Sequence, residues 1–478
     1  MDVRGGRHQA DCEARFAGYV EALADVLGHA DRAVPLESYC AGLLMPLARK
    51  SVEPMAAVTA PARVAAQHQS LLHFVANAPW SDERMLARVR ELVVPVIEGG
   101  GPIEAWIIDD TGFPKKGRHS VGVARQYCGQ LGKQDNCQVA VSLSIANRAA
   151  SLPIDYRLYL PEDWASDAER RAVAKVPETI SFKTKSEIAL EQIEAACRQG
   201  VPRGVVLMDA GYGNDTWLRE KIGECGLRYV VGIQSSTTVW RSDELPPIPA
   251  RRVGRGRPPR RVPRSPGAKP IAVKTLAMSL PKAAWRKVRW REGSAERLTS
   301  RFARVCVHAA HRDRARAQEW LLVEWPEQER EPIKYWLATV PPDIGFKQFV
   351  DLAKLRWRIE RDYQELKQEF GLGHYEGRGW RGFHHHATLC IAAYGFLIAE
   401  RAAIPPSAAP TAQMLAKLAV PEGHRPRGAA GSAGAPRPRL GRDAAPPSRG
   451  RPRAKARSMS VLRETRRSAI KPTKLMTQ

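Results

Sequence analysis

Apolar positions along the chain change their period several times, and the changes mark out its parts. Up to about residue 100 they recur every three to four residues. Cys12–Leu27, Leu43–Met55, Pro61–Asn77 and Ser81–Val94 read as helices broken by Pro and Gly turns. From Glu104 short apolar runs take over. Glu104–Asp110 (EAWIIDD) reads as a strand closing on two acids, Cys137–Ala146 alternates as a half-buried strand does, and Ile154–Leu160 is a third strand. A helix at Ser186–Arg198 leads to Val205–Asp209 (VVLMD), nearly all apolar and suited to the middle of a mixed or parallel sheet. Its terminal acid precedes the turn AGYGN, and such strand ends are where α/β sheets place ligands. Asp215–Cys225 reads as a helix and Leu227–Ile233 as a strand.

The stretch from Gln234 to Pro342 is too long for a bare loop. It contains strand-like runs at Arg301–Ala310, Glu319–Trp325 and Ile333–Thr339. Phe346–Leu372 then reads as one helix of about 25 residues, rich in helix formers and without Pro or Gly before Gly371. At about 100° per residue, Arg356, Glu360, Tyr363 and Lys367 share an arc of roughly 60°. Leu352, Leu355, Ile359, Leu366 and Phe370 form the neighbouring stripe, the face to be buried, with Tyr363 packing beside it. His374–Ala402 opens with a turn and ends in an apolar helix. Its run His384-His385-His386 is no metal set by itself, because adjacent helical positions point about 100° apart. From Ile404 the chain turns to Pro, Ala, Gly, Ser and Arg with few acids, the composition of a disordered basic tail.

A length of 478 residues allows two to four domains and a large core. The formal charge of +25 and pI near 10.0 call for a polyanionic partner, nucleic acid first. Eight cysteines without a close CxxC pair argue against a zinc module or disulfide framework and for a reducing cytosol. With no secretory apolar segment and no apolar run near 18 residues, neither export nor membrane insertion is expected.

Arg356, three residues, Glu360, six residues and Lys367 together resemble the signature helix of bacterial insertion-sequence transposases of the DDE type. The Tyr that this signature places three residues before the Arg is Ala353 here. Gly42–Ala56 (GLLMPLARKSVEPMA) and the basic, Gly-rich Thr111–Lys133 resemble stretches of the same group. So does the element order: three strands, helix, strand, helix, strand, long interruption, helix. The resemblance implies an α/β protein with a ribonuclease-H-like catalytic core and a largely β insertion. An all-α N-terminal domain would precede it and a disordered basic tail would follow. The expected parts are a helical DNA-binding or support domain at 1–100, the first part of the core at 101–234, the insertion at 235–342, the core's last helices at 343–402 and the tail at 403–478.

Carried over by position, the family's catalytic and metal-binding acids are Asp109, Asp209 and Glu360, with Asp110 as the alternative first acid. Asp109 is preferred because the family shows Asp, a variable residue, then Ser or Thr, and Thr111 supplies the last. Asp110 would face the other side of a continuing strand. Either Asp alone is equally a turn or helix-capping residue. The chemistry asks for hard oxygen ligands. Cleaving and rejoining a phosphodiester suits two Mg2+ ions about 3.5–4 Å apart, Mn2+ being the alternative. Lys367 would meet a phosphate, and Arg356 would contact DNA backbone or orient Glu360. Lys115 and Lys116 would touch DNA near the scissile bond. Arg255 and Arg257 lie in Arg251–Arg264, which has seven arginines and no acid, and would enter an A·T minor groove or contact phosphates without sequence preference.

The activity so implied is cut-and-paste transposition. A homodimer would cleave double-stranded DNA at the element's terminal inverted repeats and join the ends to target DNA, in the bacterial cytoplasm at the nucleoid. The alternatives are a structure-directed nuclease of the same fold and a DNA-binding relic that no longer cuts.

Overall fold

The computed structural model describes residues 3–242, 269–292, 297–310 and 316–403. Arg255, Arg257 and the tail from residue 404 lie outside them. Five helices open the chain: α1 (Val3–Ala24), α2 (Ala33–Leu44), α3 (Val52–Thr59), α4 (Val64–Ala76) and α5 (Asp82–Gly99). The expected helix Leu43–Met55 does not form. Met45 precedes a proline, which disfavours helical backbone, and it stands extended at φ −66°, ψ 147°. Lys50 crosses the gap and donates to the carbonyls of Leu43 and Met45, satisfying the open end of α2.

The sheet begins with β1 (Ala105–Pro114), β2 (Ala124–Cys128), β3 (Lys133–Ala146) and β4 (Ser151–Leu158). Then come α6 (Glu162–Ala165), α7 (Ala168–Ala174), α8 (Lys185–Arg198), β5 (Val205–Met208), α9 (Ala210–Gly213), α10 (Thr216–Glu224) and β6 (Tyr229–Ile233). β3 pairs antiparallel with both β1 and β4, whereas β5 lies parallel to β1 and β6 parallel to β5. The resulting order, β4-β3-β1-β5-β6, is a mixed sheet consistent with a ribonuclease-H-like core. Thr111–Lys133 is partly strand. β1 runs on to Pro114 and β2 pairs with the extended start of β3, so the excursion satisfies its backbone within the sheet.

The next segment holds β7 (Thr238–Arg241), β8 (Ile271–Ala272), α11 (Val273–Met278), β9 (Arg286–Glu292), β10 (Arg297–Ala309), β11 (Gln318–Trp325) and β12 (Lys334–Ala338). β12 pairs antiparallel with β6. The later strands therefore continue the first sheet and cover an edge that would otherwise stand open. Among the described residues the path is β2-β3-β1-β5-β6-β12-β11-β10-β7-β8, with β4 beside β3 and β9 beside β10.

Phe346–Leu372 is two helices rather than one, α12 (Phe346–Lys354) and α13 (Trp357–Gln368). At the junction the bonds tighten to three-residue spacing: Leu355 to Leu352, Arg358 to Leu355 and Ile359 to Arg356. The stripe survives the break, since Leu352, Leu355, Ile359, Leu366 and Phe370 are all buried. Gly371, at φ +67°, closes α13; a Cβ there would stand 2.6 Å from that of Lys50.

α14 (Trp380–Ala403) is apolar on nearly every side and packs against α2, α4, α5 and β4. Its three histidines reach three separate places. His384 accepts from the amide of Leu158, His385 meets the carbonyls of Val75 and Trp80, and His386 meets Tyr39 and the carbonyl of Gly371. They fasten the helix to its neighbours.

Candidate active site

Parallel pairing of β1 with β5 ends at Ile107 opposite Leu207. Two residues farther along each strand stand Asp109 and Asp209, so the register brings both acids to one edge of the sheet. There the chains part: β1 continues, while Asp209 turns into α9. Oδ1 of Asp209 caps that helix, accepting from the amides of Gly211 (2.9 Å) and Tyr212 (3.3 Å). Gly213 allows α9 to lie on β6, where a Cβ would come within 2.0 Å of the Gly232 carbonyl oxygen.

Asp109 accepts from the Asp110 amide through Oδ1 (2.9 Å) and from Arg356 Nη1 through Oδ2 (2.8 Å). The other terminal nitrogen of Arg356 donates to Glu360 Oε1 at 2.6 Å. One guanidinium thus ties an acid on a strand to an acid on a helix 251 residues later (360 − 109). Burial pushes the Asp109 carboxyl up to about 7; Arg356 opposes the shift, and the nearby charges of Asp209 and Asp110 add to it. The buried Tyr212 hydroxyl is held above its ordinary range by its own burial and by the charges of Asp110 and Asp109. It has no hydrogen-bond partner among the described residues.

Asp110 points the other way, to Lys185 Nζ at 2.6 Å. Lys367 donates to the Gly112 carbonyl (2.8 Å) and to Gln130 (3.1 Å), three residues along β1 from Asp109, and burial holds it down to about 8. Tyr363 is buried, its hydroxyl bonded to Ser142. Lys115 is turned inward to the Tyr375 carbonyl at 2.9 Å and its pKa is lowered by burial, whereas its neighbour Lys116 is exposed.

The structure therefore groups Asp109, Asp209, Arg356 and Glu360, with Lys367 alongside, and leaves Asp110 and Lys115 out. In kind the three carboxylates suit hard divalent ions. Among the described residues, however, no three His, Cys, Asp or Glu groups stand close enough to share one ion. The space between Asp109 and Glu360 is spanned by the guanidinium of Arg356 instead.

Sequence reasoning passed over three residues that shape this site. Lys185 and Gln130 carry no local signal. Asp362 does: it interrupts the buried side of α13, where the period asks for an apolar residue. There it accepts from Ser151 (2.7 Å) and Tyr394 (2.9 Å), pinning α13 to β4 and α14.

A family model described as DDE superfamily endonuclease matches residues 22–297, a span that includes Asp109 and Asp209 and stops before Glu360. Over 169 residues the chain is 32% identical to the "Probable transposase for insertion sequence element IS701" of Microchaete diplosiphon. The aligned stretch is 35% of this chain and 41% of that protein. Because the family match takes in more than half of the 478 residues, the chain belongs to the DDE superfamily of endonucleases.

Proposed function

We propose that the protein is an insertion-sequence transposase. It cuts DNA at the element's terminal inverted repeats and transfers the freed 3′ ends into target DNA by a cut-and-paste route, acting as a dimer on two ends. The observation that carries this is the shared edge of β1, β5 and α13, where the register sets Asp109 beside Asp209 and Arg356 binds Asp109 to Glu360. Asp109, Asp209 and Glu360 are the residues to hold two Mg2+ or Mn2+ ions on a ribonuclease-H-like core. Such ions activate the attacking oxygen and stabilise the leaving one. The chain's own contribution is position and charge. Lys367 stands by the same strand to neutralise a phosphate, and exposed Lys116 faces solvent for the flanking backbone. The formal charge of +25 favours phosphate contact throughout. No helix among the described residues is long and apolar enough to cross a membrane.

Asp209→Asn tests the reading cleanly, because an Asn Oδ1 still caps α9 while the anionic ligand is lost. The variant should bind element-end DNA as the parent does and fail to nick it. Nicking at the parental rate, either by this variant or by the parent in excess chelator, would refute the assignment. Inverted repeats flanking the coding sequence supply the substrate, and joined products in a strand-transfer assay separate a transposase from a nuclease.

A further inference from the structure

Asp109 and Glu360 come from distant parts of the chain, and a positive charge between them offsets their repulsion. In this structure the charge is internal: Arg356 donates from one terminal nitrogen to Asp109 and from the other to Glu360, at 2.8 and 2.6 Å. A guanidinium offers divergent donors in a rigid plane, so it holds two carboxylates at a fixed separation, which the single point charge of a lysine does less well. Among the described residues no three acids stand close enough to share one ion. Arg356 sits at the junction of α12 and α13, where the hydrogen bonds have tightened to three-residue spacing and the helix is already interrupted. Its side chain therefore leaves from a break in the helix, not from the middle of a continuous α-turn.

We propose that Arg356 is a resident stand-in for the catalytic metal, so that a divalent cation enters only by displacing its guanidinium from Asp109 and Glu360. Resting on the reading of these acids as the metal site, the proposal adds how that site is regulated. The protein without DNA binds metal weakly because each ion must break two charged hydrogen bonds. A DNA phosphate offers the released guanidinium a new bidentate partner, so DNA and metal promote each other's binding as linkage requires. Metal would then be taken up chiefly with substrate present, limiting stray cleavage.

The test uses the full-length protein and Mn2+ alone, with affinity read by calorimetry. Arg356→Gln should bind Mn2+ at least ten-fold more tightly than the parent in the absence of DNA, and Arg356→Lys should fall between them. Equal or weaker binding by Arg356→Gln would overturn the proposal. A second measurement needs no variant. Modification of parental Arg356 by phenylglyoxal, read by peptide mass spectrometry, should speed up when Mn2+ is added, and an unchanged or slower rate would also overturn it. Asp209→Asn made in the Arg356→Gln background separates the two levels. Loss of the gained Mn2+ affinity supports both, whereas full retention shows that the ion sits elsewhere and that the acid assignment itself has failed.

Discussion

Asp362 gives the most direct measure of how α13 is held in place. Its carboxyl is buried, its Oδ1 accepts from Ser151 and Tyr394, and its Oδ2 has no partner among the described residues. Burial pushes the group up to about 6, from an ordinary value of 3.8, against the pull of those two hydrogen bonds. An acid raised on folding keeps its proton in the native state after the unfolded chain has lost it. Between pH 3.8 and about 6 the native state therefore binds more protons, and stability falls as pH rises through that window. Each unit is worth 1.36 kcal/mol, so the loss totals about 3 kcal/mol and is complete above pH 7. Asp362→Asn removes the titration while keeping an oxygen for both hydroxyls. The assay is urea unfolding of parent and variant in metal-free buffer at half-unit steps from pH 4 to 8. Whatever constant cost the amide group adds, the variant should gain about 2.5 kcal/mol on the parent between the two ends of the range, since part of the loss precedes pH 4. Parallel stability curves would refute the reasoning, since they would mean that Asp362 enters the fold at no cost to its charge.

Four further outcomes follow from the same contacts. Asp110→Asn loses only the Lys185 ion pair and should retain most DNA nicking, whereas Asp109→Asn should abolish it; the reverse result in a plasmid-relaxation assay would exchange the two roles. Gly213→Ala forces a Cβ onto the Gly232 carbonyl and should lower stability by about 1–3 kcal/mol in urea melts while slowing nicking through displacement of Asp209. Ala353 is buried, so Ala353→Tyr should destabilise by a similar amount and give no gain in nicking rate; a faster enzyme would show that the signature's tyrosine has room to act. Lys367 is held down to about 8, so the native state sheds its proton first and stability should rise from pH 8 to about 10.4, a rise that Lys367→Met should remove from urea-unfolding curves.

The sequence by itself determined many of the local elements and, through the family resemblance, offered the acids for the proposed site. Alternation and apolar runs located β1, β3 and β5 within a few residues, because side-chain period is a local property of the backbone. The stripe from Leu352 to Phe370 was readable for the same reason, and burial follows it even across the helix break. Asp209 was legible as the acid closing β5 and Glu360 as a helix position, whereas Asp109, read at a strand end, lies within β1, and the net charge pointed to a polyanion.

What the sequence could not set is whatever depends on which distant atoms meet. The break at Leu355–Arg356 is invisible to helix propensity, which sees only good helix formers there. The joining of β12 to β6 is a choice of edge partner made by hydrogen bonds between strands a hundred residues apart. Lys115 reads as a DNA contact until the fold offers it the Tyr375 carbonyl, and Arg356, read as a contact to DNA backbone or an orienter of Glu360, also meets Asp109 at 2.8 Å. Charge and period are carried by each residue alone. Pairing and desolvation exist only once the chain has closed around them, and those two effects decide which of the acids and cations share this site.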